Sequence, residues 1–132
     1  MLVQVEAVWW GPDGAATVRT RSGVGSAVAR WCGDPTEAGC EHHVEWSVEE
    51  DVVWGGNTRP AADPAPMVGE DGDRTTFRGR LSLTGDGGAV LEVADAQILF
   101  DLADPPPPVT VKETWVEISV ERNKVSLFPY LL

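Results

Sequence analysis

Trp115-Val116-Glu117-Ile118-Ser119-Val120-Glu121-Arg122-Asn123-Lys124-Val125-Ser126-Leu127-Phe128-Pro129-Tyr130 is the stretch on which the fold class turns. Val116, Ile118 and Val120 fall on one face of an extended chain, with Glu117, Ser119 and Glu121 on the other. After Arg122-Asn123 the same face is taken up by Val125, Leu127 and Pro129. Strict period-two alternation is the signature of half-buried strands, one face on a core and the other in water. A two-residue turn at Arg122-Asn123 would set Glu121 against Lys124, Val120 against Val125, Ile118 against Leu127 and Trp115 against Tyr130. That register satisfies charge, core and aromatic pairing together, so the stretch predicts a closing hairpin over 114–130.

Working outward, the same alternation recurs. Val3 to Trp10 reads as a strand, Gly11-Pro12-Asp13-Gly14 as a turn, and Thr17 to Arg21 as the returning strand. Residues 22–39 carry Val24, Val28 and Trp31 at helical spacing, which predicts either one short helix or a continuing bulged strand. Cys40 to Val48 alternates cleanly: Cys40, His42, Val44, Trp46 and Val48 against Glu41, His43, Glu45, Ser47 and Glu49. Gly55 to Arg74, with Pro60, Pro64 and Pro66, reads as a long mobile loop. Thr76–Thr84 and the strand from Ala89 flank a glycine-rich turn, Gly85 to Gly88. A change of phase near Ala94-Asp95 predicts a β-bulge at a barrel corner. Pro105 to Pro108 form a stiff connector. The expected architecture is one all-β domain over residues 1–132, a small antiparallel β-barrel, OB-like and partly open, or a sandwich of about seven strands.

Composition narrows the function classes. The chain has 132 residues, 21 acidic and 10 basic, for a formal charge of −11. That excess repels phosphate backbones and favours a cationic protein partner over nucleic acid. A chain that enters a strand pattern at once, with no basic and apolar leader, points to the cytoplasm. No apolar run reaches the roughly 20 residues needed to cross a bilayer as a helix. The expected assembly is a monomer or weak homodimer.

The densest charged feature is the row Glu41, Glu45, Glu49, Glu50 and Asp51, lying beside Trp46 and Trp54. Acidic rows steer basic partners, and aromatic anchors within a charged rim are the anatomy of a binding hot spot. In size, charge and class the chain resembles small acidic immunity or antitoxin-type proteins, which occlude a basic toxin, and small β-barrel accessory modules. The resemblance implies a non-catalytic protein-binding module.

Two alternatives come from other residues. Cys32, Cys40 and His42 are zinc-type ligands, and Cys40 and His42 share a strand face while Cys32 returns across the loop 33–39. The spacing fits no finger or ribbon, and the competing reading is a pair of plain thiols and a satisfied histidine. A Cys-His nucleophile would use the same residues, without a family signature around either cysteine. Arg19, Arg21, Arg78 and Arg80 project outward from two strands; as neighbours they would form a basic stripe, the footprint of an OB-type single-strand nucleic-acid binder. Otherwise they pair with the row Glu41, Glu45 and Glu49. No phosphate-binding glycine loop or serine-nucleophile elbow is present.

Overall fold

The computed structural model describes residues 1–34, 38–108 and 114–130, and these are all-β. β1 (Leu2–Trp10), β2 (Ala16–Ser22) and β3 (Gly25–Trp31) run as an antiparallel meander. β4 (Cys40–Val48) returns to the free edge of β1. β11 (Val125–Pro129) lies antiparallel to β4 on one side and parallel to β3 on the other. That last pairing closes a five-stranded ring, β1-β2-β3-β11-β4. The barrel expected from the alternation is present, and its ring is closed rather than partly open.

The segment between β4 and β11 builds a second sheet. β7 (Arg74–Leu83) is its spine. One edge of β7 pairs with β10 (Thr114–Glu121), and β10 pairs in turn with β5 (Thr58–Pro60). The other edge serves two partners in succession, β6 (Met67–Asp71) at Arg74–Arg78 and β8 (Gly88–Val93) at Arg80–Leu83. β9 (Ala96–Asp101) completes a hairpin with β8. The two sheets meet where β6 runs parallel to β3 at Gly25 and Val68. Gly25 has φ +136°, and a Cβ there would collide with the Val68 carbonyl. The junction therefore needs glycine on both counts.

Inward side chains of both sheets form one apolar cluster, including Val3, Val18, Val44, Phe77, Leu81, Leu91, Ile98, Ile118 and Leu127. Trp46 of β4 meets Phe77 of β7 edge to face, ring centres 5.5 Å apart. Burial of these side chains is the main stabilising term for both layers.

Several expectations are corrected. The strands on either side of Arg122-Asn123 do not pair with each other. Arg122–Lys124 make a 3-10 turn with right-handed backbone, and the chain crosses from the second sheet into the barrel. The inward face is still the one expected: Val116, Ile118, Val120, Val125 and Leu127 are fully buried. Residues 55–74 are not one loop, since they contain β5 and β6. Of the two readings offered for residues 22–39, the strand is the one present, at Gly25–Trp31. The phase change at Ala94-Asp95 is a two-residue hairpin turn, with Val93 opposite Ala96 and Ala94 at φ +55°. The bulge lies in β1 instead, between Val5 and Ala7, and it turns Val8 inward and Trp9 outward. The connector at 105–108 is described, while the stretch after it falls outside the described residues.

Candidate functional site

The acidic row does not act as a unit. Glu41 and Glu45 stand on the outer face of β4, and neither carboxylate has a partner among the described residues. Glu49 and Asp51 are exposed at the end of β4 and beyond it. Glu50 is turned inward to structural work. Its Oε2 accepts a hydrogen bond from Asn57 Nδ2 at 3.0 Å, and its Oε1 accepts one from the Glu121 amide at 3.1 Å. Arg74 lies 3.8 Å from the same carboxylate. Glu50 thus ties the exit of β4 to the loop before β5 and to the end of β10.

The tryptophans expected to anchor a partner are placed differently. Trp46 is only 3% exposed and belongs to the core, as its phase with Val44 on β4 dictates. Its Nε1 lies 3.3 Å from the Met1 sulfur. Trp54 is half-buried and packs against the core. Trp46 therefore offers no ring to a partner surface.

The aromatic and aliphatic groups that do reach solvent on this side are Leu2, Phe128 and Tyr130. Register puts them together. Leu2 is opposite His43, Gln4 opposite Glu41, and Phe128 opposite Glu45. The Tyr130 amide donates to the His43 carbonyl at 2.9 Å. Directly paired residues of antiparallel strands share a face. The outer surface of β1, β4 and β11 is therefore a band of Leu2, Phe128 and Tyr130 interleaved with Glu41 and Glu45. A cavity of about 250 Å³ extends it past Glu45 and Tyr130 to Asp95 and the exposed Leu99. Sequence reasoning found the acids but missed the apolar partners, because Leu2 and Phe128 come from strands remote in sequence.

Cys40 and His42 are brought together, Sγ to Nε2 at 3.6 Å. The His42 ring also lies 4.9 Å from the Trp31 ring, centre to centre. Cys32 and Cys40 are both free thiols. No three metal-type side chains gather into a cluster among the described residues, so Cys32 does not complete a ligand set with Cys40 and His42 there. Cys32 and His42 line a surface hollow with Trp31, Phe128 and Tyr130.

The expected arginine stripe is dispersed. Arg19 and Arg21 are on β2, Arg78 and Arg80 on β7, with β3 and β6 between those strands in the sheet order. Their partners are not the acids of β4. Arg19 meets Glu70 at 2.7 Å, Arg21 meets Glu6 at 3.8 Å, and Arg78 meets Glu117 at 3.2 Å and Asp63 at 3.4 Å. Arg59 adds a second contact to Glu117 at 3.1 Å.

No helix among the described residues is long and apolar enough to cross a membrane. No protein-family model matches the chain, no curated protein matches it, and no solved structure matches its fold.

Proposed function

We propose that this chain is a non-catalytic binding module that docks a basic protein through the outer surface of β1, β4 and β11. The observation that supports the reading is the interleaving of Leu2, Phe128 and Tyr130 with the unpartnered carboxylates of Glu41 and Glu45. Exposed apolar groups supply the contact area that excludes water, and acids among them select cationic partners and speed their approach. An inhibitor of the immunity or antitoxin type, working by occlusion in the cytoplasm, is the specific form of this reading. In this proposal the ring is OB-like and serves as a rigid frame for the docking face.

The test is affinity capture from extract of the source cells, run with wild type, with Glu41→Lys/Glu45→Lys and with Phe128→Ser. A basic protein held by wild type and lost by both variants supports the reading. Retention of the same protein by both variants, or capture only of acidic proteins, removes this face as the docking surface. Association kinetics measured against salt then separate the two contributions. The charge variant should slow association at low ionic strength, while Phe128→Ser should speed dissociation.

A further inference from the structure

On the other side of the ring lies a groove of about 630 Å³. Its lining includes Trp9 at the end of β1, Arg19 on β2, Val28 and Arg30 on β3, and Arg122 in the 3-10 turn before β11. In a chain of formal charge −11 this is an inverted spot: three arginines against one aspartate, Asp13, in the lining. The charges are not equally available. Arg19 is closed onto Glu70 at 2.7 Å. Asp13 is turned to its own loop, where Oδ1 accepts the Ala15 amide at 3.0 Å. Arg30 and Arg122 have no hydrogen-bond or ion-pair partner for their guanidinium groups among the described residues. They come from β3 and from the turn before β11, and the fold alone brings them to one groove.

Beside these two cations stands Trp9, which is 47% exposed. The bulge in β1 puts it there by turning Val8 inward in its place. An exposed indole next to unpaired guanidinium groups suits a ligand with a flat aromatic ring and an anionic oxygen group. A ring stacks on the indole, and a guanidinium fork matches the oxygens of a phosphate. We infer that this groove binds a nucleotide unit, with the base on Trp9 and the phosphate held by Arg30 and Arg122. The volume falls within the range of small-molecule sites, roughly 300–1,000 Å³, so it holds a free nucleotide or a very short piece of single strand. The −11 body opposes a long polyanion, which limits the ligand to the few phosphates the groove itself can neutralise. The proposal does not depend on the docking face on the far side of the barrel.

The test is tryptophan fluorescence titration of the full chain with three probes: adenosine monophosphate, a 5′-phosphorylated thymidine trinucleotide and hexaglutamate. Quenching by at least one nucleotide probe at submillimolar concentration is expected, with affinity at least tenfold lower in Arg30→Glu and in Arg122→Glu. Trp9→Phe should abolish the quenching. Unchanged circular dichroism and urea midpoints in the variants show that the fold is intact. Equal affinity for the two nucleotide probes identifies a free nucleotide as the ligand, and at least tenfold tighter trinucleotide binding identifies a single strand. No response at millimolar nucleotide, equal binding by both charge-reversed variants, or equal binding of hexaglutamate would overturn the proposal.

Discussion

The two outer surfaces of the barrel are built from different strands of one ring, and by opposite rules. On the outer face of β1, β4 and β11, Glu41 and Glu45 have no partner among the described residues, and Leu2, Phe128 and Tyr130 stand beside them. On β2, β3 and the turn before β11, Arg30 and Arg122 have no partner among the described residues, and the exposed indole of Trp9 shares their groove. Several other carboxylates and guanidinium groups are matched, as Arg19 with Glu70, Arg78 with Glu117 and Glu50 with Arg74. What separates the two surfaces is the sign of the unpaired charge and the exposed apolar or aromatic group that stands beside it. The acidic row read along β4 illustrates the difference, for Glu50 carries the same carboxylate as Glu45 and yet accepts hydrogen bonds from within the fold.

The comparison can be broken in several ways. The largest effect is expected from Trp46→Ala, which should cost about 3–5 kcal/mol in urea unfolding because it empties a core position against Phe77. Phe128→Ala, by contrast, should stay within about 0.5 kcal/mol. Comparable losses at both positions would mean that the outer band is part of the core. Next comes Glu50→Ala, expected to lower stability by about 0.5–1.5 kcal/mol through loss of the hydrogen bonds from Asn57 and the Glu121 amide, while leaving association with a captured partner unchanged. A weakened association would return Glu50 to the docking face. Glu41→Lys/Glu45→Lys should slow association about tenfold at low salt, with the difference shrinking as ionic strength rises.

The smallest effect concerns a turn outside both surfaces. Asp86 is held below the ordinary carboxylate range, chiefly by the Thr84 hydroxyl and then by backbone amides of its own turn. A carboxylate with a depressed folded pKa stabilises the fold above the unfolded value, and that contribution is lost as pH falls through the folded one. Wild type and Asp86→Ala should therefore differ slightly at neutral pH and converge below about pH 4. A gap that persists into acid would show that the carboxylate charge is not the cause.

Much of the fold was legible because alternation reports which side chains face the core. Val116, Ile118, Val120, Val125 and Leu127 were placed correctly on that ground alone. Alternation does not report which strand lies alongside. The hairpin expected at 114–130 fails for that reason: Val120 and Val125 both point inward, and each finds a different neighbour, Thr75 and Val48. Arg122-Asn123-Lys124 also lacks a glycine, and its residues take a 3-10 path rather than a tight reversal. β5 and β6 were hidden by Pro60 and by the charges of Glu70 and Asp71. β5 stands at the edge of the sheet, where proline is tolerated. Of the candidate site, Glu41 and Glu45 could be read from one strand. Their apolar companions, and the meeting of Arg30 with Arg122, depend on ring closure and leave no local trace.

Val48 and Val125 sit opposite each other in the ladder, and the Glu49 amide donates to the Lys124 carbonyl at 2.9 Å. The second sheet therefore leaves the barrel and re-enters it at adjacent points, as an excursion spliced into what would otherwise be a simple β4–β11 reversal. Joining Val48 to Val125 by a short turn would keep every pairing of the ring while uncovering the Trp46 indole where Phe77 shields it. The ring is thus self-sufficient in its connections but not in its packing, and any attempt to trim this molecule to a minimal barrel must first supply a new cover for that indole.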